Sequence, residues 1–127
     1  MKILVDTHAL IWWLRDDQRL SRAAAQILAD PSNEILVSAG VGWELAIKVG
    51  LGKIEPANLI AQMEEAISRE TFVELPVALA HGVRAGLLPL HHRDPFDRLL
   101  AAQAEILDVP ILSADRLFDR YGVRRLW

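Results

Sequence analysis

The stretch His91–Asp115, HHRDPFDRLLAAQAEILDVPILSAD, indicates one helix followed directly by a buried strand. Asp94 stands at a natural N-cap and Pro95 at the first helical position, a combination typical of a helix start. Apolar residues then recur at helical spacing. The helix is predicted to end near Asp108, because a valine–proline pair follows and the residue before a proline avoids the helical region. The short apolar run Ile111–Ser113 is the strand.

Two acids frame this helix–strand unit. Asp97 lies in the first turn of the helix, and Asp115 lies just past the carboxyl end of the strand. In an open α/β sheet, strand ends and the adjoining helix starts face the same crevice, where ligands bind. For Asp97 this requires the segment from Leu87 to Arg93 to cross back to that edge. The unit therefore predicts that two carboxylates meet at one edge of a sheet.

The rest of the chain alternates short apolar strands with amphipathic helices. The other predicted strands are Lys2–Val5, Glu34–Ser38, Thr71–Leu75 and Val123–Trp127. The other predicted helices start at a Thr7 cap, at a Ser21 cap (through Ala29), at Gly40 (to about Val49), at Pro56 and at Val77 (to about Leu87), with a short one at Arg116–Arg120. Unbroken apolar strand centres indicate a mostly parallel sheet covered by helices on both faces. We predict a single α/β domain over residues 1–127.

Composition excludes several classes of protein. The chain has 127 residues, 52% of them apolar, so disorder is not expected. It contains no cysteine, which rules out disulfides and thiol chemistry and fits a reducing cytoplasm. We expect no signal peptide and no membrane span, because the apolar run Ala9–Leu14 is far shorter than the roughly 20 residues that a span needs. The net charge of −3 argues against a broad basic surface for nucleic acid, unless cations or a local patch supply positive charge.

Four carboxylates occupy the same kind of place relative to the sheet. Asp6 ends the first strand, Glu44 lies in the first turns of the helix after the second strand, and Asp97 and Asp115 frame the fourth strand. Acids that converge in one crevice repel each other and raise their own pKa values. A hard divalent cation such as Mg²⁺ removes this conflict and can activate water against a phosphodiester. The four acids therefore predict a metal site.

Each acid also has a purely structural interpretation. Asp6 could cap the helix that follows it, and Glu44 could pair with Lys48 one turn later. Asp94 and Asp97 stand at the N-cap and third helical positions, where acids stabilise a helix start. Asp115 could cap the short last helix. For Asp94 we prefer the capping role, and local logic favours it for Asp97 as well. Convergence of the whole set, not any single acid, carries the functional interpretation.

Other polar and aromatic residues give weaker signals. The histidines lack the spacing of a zinc site and are not predicted as ligands: His8, His81, His91 and His92. The tryptophans are predicted as core or dimer contacts rather than platforms for base stacking: Trp12, Trp13, Trp43 and Trp127. Three cations are candidate phosphate contacts, although arginines on a helix surface usually do nothing specific: Arg93, Arg98 and Lys48.

Three motifs in order make the chain resemble a PIN-domain ribonuclease, and more narrowly a VapC-type toxin of a bacterial toxin–antitoxin pair. They are ILVDTHALIWWL at residues 3–14, VSAGVGWELAIKVGLGKI at residues 37–54 and the stretch quoted first. The resemblance covers nearly the whole chain. It implies a parallel sheet of strand order 3-2-1-4-5, a homodimer, cleavage of RNA with Mg²⁺ or Mn²⁺, and a VapB-type antitoxin that covers and silences the site.

The resemblance also implies roles for individual residues. Asp6 and Asp97 would be the principal metal ligands, and Glu44 and Asp115 would complete the acidic site, the latter as a further ligand. Thr7 and Ser113 would support the acids, as would Asp94 at its cap. The sequence departs from the family at Gly42, where related proteins often carry a serine before the Trp-Glu pair, so a polar contact near Glu44 would be missing.

Two other classes of function share the predicted fold. A phospho-receiver domain needs paired acids after the first strand and a lysine after a late strand, but Thr7-His8 follow Asp6 and no lysine adjoins Asp115. A phosphatase with an aspartyl nucleophile needs Asp-x-Asp, and position 8 is histidine. A PIN-like domain that has lost activity and only binds a partner is the remaining alternative, and the intact set of acids argues against it.

Overall fold

Strands and helices alternate in the computed structural model, which describes residues 1–53, 58–69 and 72–127. The strands are β1 (Lys2–Val5), β2 (Glu34–Ser38), β3 (Phe72–Leu75), β4 (Ile111–Leu112) and β5 (Arg125–Leu126). The helices are α1 (Thr7–Leu14), α2 (Arg22–Ala29), α3 (Ala39–Gly50), α4 (Leu59–Arg69), α5 (Leu79–Leu87) and α6 (Pro95–Leu107), with a 3-10 helix at Arg116–Tyr121. The predicted alternation is confirmed in these described parts.

The five strands form one parallel sheet in the order β3-β2-β1-β4-β5, which confirms the order expected from the resemblance. β1 is central: Ile3 pairs with Ile35 of β2, and Leu4 pairs with Ile111 of β4. Consecutive residues of β1 and β2 are buried, so both faces of the sheet are covered. The carboxyl ends of β1, β2 and β4 consequently lie at one edge.

Several predicted bounds are corrected. α1 is capped by Asp6 rather than Thr7, because the Thr7 side chain turns inward and bonds to Glu44. α3 begins one residue before Gly40, and α5 begins at Leu79 rather than Val77. β5 is shorter than predicted, and β4 ends before Ser113. The predicted starts at Pro56 and Thr71 lie outside the described residues.

The segment between α5 and α6 is held in place by Arg98, which is buried. Its guanidinium donates to carbonyl oxygens of Ala85, Gly86, Leu88 and Pro89 at 2.8 to 3.2 Å. These bonds tie the end of α5 to the first turn of α6 and so position Asp97. The prediction that Arg98 contacts phosphate is wrong, because its donors already bind main-chain oxygens inside the fold.

A side chain at Gly40 would require Leu99 of α6 to shift. A Cβ atom at Gly40 would lie 2.7 Å from Leu99 Cδ2, well inside contact distance. Gly42 differs, because a Cβ atom there would lie 3.6 Å from Met63 Cε, an ordinary contact. A serine at position 42 would therefore fit, and its absence does not result from crowding.

Across the described ranges of the chain, none of the helices has both the length and the apolar character needed to cross a bilayer.

Candidate active site

Asp6 lies at the centre of the carboxyl edge, directly after β1, and is buried. Its Oδ1 accepts a hydrogen bond from the Ala9 amide at 2.8 Å, which caps α1, and its Oδ2 accepts one from the Ser113 hydroxyl. Burial raises the pKa of Asp6, although the bonds from Ser113 and Ala9 act in the opposite direction. The capping role and a role in the site therefore coexist in one residue.

Glu44 projects from α3 into the same edge and is also buried. Thr7 Oγ1 donates to Glu44 Oε1 at 2.5 Å, and Lys48 Nζ lies 2.7 Å from Oε2. The predicted pairing with Lys48 is present, yet the carboxylate still faces the other acids. Lys48 is thus engaged by Glu44. Both Glu44 oxygens have partners even though Gly42 provides no hydroxyl group.

Asp97 and Asp115 are linked by His92, which was not predicted as a site residue. His92 Nε2 lies 3.0 Å from Asp97 Oδ2 and 2.8 Å from Asp115 Oδ2. The other ring nitrogen, Nδ1, accepts a hydrogen bond from the Asp94 amide at 3.2 Å. A ring that accepts at Nδ1 carries its proton on Nε2, so His92 donates to both carboxylates. The sequence feature that could have identified His92 is its position two residues before Asp94, the N-cap of the helix that carries Asp97.

The electrostatics of Asp97 link the four acids. Burial raises the pKa of Asp97 to about 7; the negative charges of Asp94, Asp6 and Glu44 add to this effect, and His92 opposes it. The charge of Asp115 in turn raises the pKa of Asp6. Asp97 therefore lies close enough to Asp6 and Glu44, and Asp6 close enough to Asp115, for their negative charges to repel.

The supporting residues also reach the site. Ser113 is fully buried; its Oγ donates to Asp6 and accepts from the Asp115 amide at 3.0 Å. Asp115 Oδ1 caps the 3-10 helix by accepting from the Leu117 amide at 2.9 Å. Asp94 Oδ1 caps α6 through the Phe96 amide at 2.9 Å, which is the role preferred for it. Arg93, the remaining candidate phosphate contact, is exposed.

The donors fit a hard divalent cation. Ligand atoms of His92, Asp97 and Asp115 lie within 4.8 Å of one another, a spacing that a metal site requires. His92 Nε2 is occupied by a proton, however, so the available ligands are carboxylate oxygens, which suit Mg²⁺ or Mn²⁺ better than Zn²⁺. Among the described residues, Asp97 Oδ1 has no hydrogen-bond partner, so it is an open ligand atom. A cation there would favour the ionised form of Asp97 and so oppose the burial and the repulsion that raise its pKa.

One of the tryptophans is not part of the core. Trp43 was expected in the core or in a dimer contact, but 64% of it is exposed on α3. Its ring meets that of Phe96 at a centroid distance of 5.1 Å and an interplanar angle of 76°. Trp43 precedes Glu44, and Phe96 precedes Asp97. The two aromatic rings therefore adjoin the acidic site.

Comparison with known proteins gives consistent results. Residues 3–124 match the family model of the PIN domain. Ribonuclease VapC22 of Mycobacterium tuberculosis is 29% identical over 103 residues, which cover 80% of this chain and 78% of that protein.

Solved structures with a similar fold include VapBC2 from Rickettsia felis bound to a DNA fragment from its promoter. That chain has a TM-score of 0.73 and 15% identity, covering 99% of this chain and 98% of its own. DNA-bound VapBC from Salmonella typhimurium has a TM-score of 0.71 and 18% identity, covering 99% and 97%. FitAcB from Neisseria gonorrhoeae has a TM-score of 0.69 and 16% identity, covering 98% and 96%.

Proposed function

Because this chain belongs to the PIN domain family, whose model it matches over residues 3–124, we propose that it is a metal-dependent endoribonuclease of the VapC type, acting in the cytoplasm. The observation that supports the proposal is the gathering of acids at one sheet edge: Ser113 links Asp6 to Asp115, and His92 links Asp115 to Asp97. Burial, reinforced by neighbouring negative charges, raises the pKa of Asp97 to about 7. The likeness to Ribonuclease VapC22 supports RNA as the substrate. Family membership also sets aside the receiver-domain and phosphatase alternatives.

In this proposal Asp6, Asp97 and Asp115 hold Mg²⁺ or Mn²⁺. The bound ion would supply an activated water and would stabilise negative charge on the phosphodiester. The chain's own residues fix the ligands: Ser113 orients Asp6, and His92 holds one oxygen each of Asp97 and Asp115. Such fixed hydrogen bonds keep the carboxylates in position before substrate arrives.

Glu44 is proposed to orient the attacking water, with Thr7 and Lys48 fixing its two oxygens. In the hydrolysis the water oxygen forms a bond to phosphorus and one bridging phosphorus–oxygen bond breaks. The water proton passes to a carboxylate, and the leaving oxygen takes a proton from solvent. Each of these roles needs an acid that is ionised in the metal-bound protein.

The direct test of the activity is incubation of the purified protein with total RNA. We expect fragments to appear with Mg²⁺, to be absent with a chelator, and to return when Mg²⁺ is added in excess of the chelator. Sequencing of the fragment ends would then identify the cleavage position. Cleavage that persists at the same rate in chelator would contradict the metal-dependent mechanism.

A VapB-type antitoxin is the proposed protein partner. Two of the similar folds come from VapBC assemblies, and a third is described as a toxin–antitoxin complex from Klebsiella pneumoniae. The acidic site of this chain would attract an arginine or lysine of the antitoxin, which would occupy the position of the cation. An inhibitory antitoxin whose site-facing segment lacks both residues would count against this arrangement.

We also propose that the protein is a homodimer that associates through α5. Leu79, Val83 and Leu87 recur at helical spacing on this helix and are 86%, 53% and 74% exposed. Leu90, just beyond the helix, is exposed too. A row of large apolar side chains in water is typical of an interface.

We expect the double variant Leu79→Glu, Leu87→Glu to be a folded monomer, because charges on this row oppose association and neither side chain packs in the core. Size-exclusion chromatography with light scattering measures the mass. Leu51→Glu, just past the end of α3, is the matched control because Leu51 is also exposed, and it should remain dimeric. A double variant with the mass of a dimer, or a parent that is already monomeric, would show that α5 is not the interface.

A further inference from the structure

Two aromatic side chains stand one residue away from acids of the site on two different helices. Trp43 precedes Glu44 on α3, and Phe96 precedes Asp97 on α6. Their rings meet edge to face, with centroids 5.1 Å apart and planes at 76°. This Trp43–Phe96 pair therefore bridges the two helices at the margin of the acidic site.

The pair is ordered but not covered. Edge-to-face contact with Phe96 restrains the indole, a geometry that aromatic pairs favour. Trp43 nevertheless remains 64% exposed, while Phe96 is half-buried. An oriented indole with a free surface next to a reactive centre is suited to stack on a flat partner.

Of the three candidate phosphate contacts, two are engaged inside the chain and Arg93 is exposed. Lys48 Nζ is 2.7 Å from Glu44, and the Arg98 guanidinium is bonded to carbonyl oxygens inside the fold. The chain carries a net charge of −3, and four of its acids converge here. Phosphate contacts alone would give a weak complex, so part of the binding free energy must come from another source.

We propose that Trp43, supported by Phe96, is the subsite for one unpaired base of the RNA beside the cleaved phosphate. This proposal rests on the ribonuclease function proposed above. Stacking on an aromatic side chain contributes roughly 1–3 kcal/mol per base and tolerates any base, because every base has a flat face. A base can reach the ring only when it is unpaired, so the subsite favours single-stranded substrate.

A protein partner is the competing occupant, because the exposed apolar surface of α3 continues through Ile47 and Leu51. Those two residues are aliphatic and lie one and two turns from Trp43, toward the end of the helix remote from the sheet edge. The aromatic residues are confined to the end where the acids are. This distribution favours a nucleobase at Trp43 and makes Leu51 a matched control of equal exposure.

The test measures binding of two labelled probes of equal length by fluorescence anisotropy: oligoadenylate and an abasic ribose-phosphate oligomer. All proteins carry Asp6→Asn so that no probe is cleaved. We expect the Asp6→Asn protein to bind oligoadenylate about tenfold more tightly than the abasic probe, in the range expected of one stacked base. Adding Trp43→Ala should abolish this difference, Trp43→Phe should retain part of it, and Leu51→Ala should leave it unchanged.

A preference for oligoadenylate that survives Trp43→Ala would overturn the proposal. An equal loss with Leu51→Ala would also overturn it and would assign the surface to general apolar docking. Weaker binding of antitoxin by Trp43→Ala with unchanged binding of oligoadenylate would assign it to the protein partner.

Failure of the base subsite is separable from failure of the proposed function. In the active protein, an unchanged KM for single-stranded RNA in Trp43→Ala refutes the subsite alone, since cleavage persists. If the parent protein cuts no RNA with Mg²⁺ and binds neither probe, the nuclease function and the subsite both fail.

Discussion

Asp6→Asn should lower the rate of RNA cleavage by at least about a thousandfold, because loss of a metal ligand removes several kcal/mol of transition-state stabilisation. The fold should survive. Asparagine caps helices as well as aspartate does, so its side-chain oxygen can still accept from the Ala9 amide. Its amide group can donate to the Ser113 hydroxyl in place of the present bond. The variant therefore separates the two roles of Asp6.

The measurements are kcat/KM on a labelled RNA and the melting temperature. Asp17→Asn is the matched control, because Asp17 pairs with Arg19 in the loop after α1, outside the acidic site. We expect the control to cleave RNA at the parent rate. An Asp6→Asn protein that cleaves RNA as fast as the parent with Mg²⁺ would refute the assigned site.

Asp97→Asn should raise the stability of the metal-free protein at pH 8. The folded-state pKa of about 7 lies above the ordinary value of 3.8. The folded protein therefore holds this proton in a pH range where the unfolded chain has released it. The contribution of Asp97 to stability is fully present below pH 3.8, falls as the pH rises toward 7, and is lost above that pH. The gap between the two values corresponds to about 4 kcal/mol as an upper bound.

Thermal unfolding in chelator, measured from pH 4 to pH 8, tests this expectation. The variant should melt about 5 °C or more above the parent at pH 8, and the difference should vanish near pH 4. Mg²⁺ should raise the melting temperature of the parent at pH 8 and have much less effect on the variant. Glu64→Gln, an exposed acid on α4, should change neither. A variant that melts below the parent at every pH would mean that Asp97 is not in a repulsive cluster.

The parts of the fold that local signals specify were predicted well. The helix from Pro95 to Leu107 has its N-cap, its proline and its stop within the same stretch, and the structure has these bounds. Unbroken apolar strand centres predicted the parallel sheet, because such strands are buried on both faces. Bounds set by tertiary contacts were less accurate. Thr7 was assigned as a cap, but its hydroxyl bonds to Glu44 on another helix.

The sequence predicted which acidic residues belong to the site, but it did not predict the side-chain contacts that position them. The four acids are at the positions that the parallel sheet implies. For Asp97, local rules favoured helix capping, and the convergence of the set together with the resemblance favoured a functional role. His92 was not predicted because it lacks the paired spacing of a metal-binding histidine, whereas its ring orients two carboxylates by hydrogen bonds. Arg98 was misassigned because a helix position does not reveal that the guanidinium binds carbonyls 9 to 13 residues earlier. For Trp43 the structure excludes the core position but leaves the dimer contact as a prediction, because the sequence does not show which apolar side chains the fold leaves exposed.

The central claim is that acids from separate parts of the chain bind one cation, and a crystal soaked in Mn²⁺ tests it most directly. We predict an anomalous-difference peak about 2.0 to 2.2 Å from carboxylate oxygens of Asp6 and Asp97, with octahedral coordination completed by water. The peak should be absent from crystals of Asp6→Asn. A fully soaked crystal with no peak among these carboxylates, or with a peak that persists in Asp6→Asn, would contradict the account.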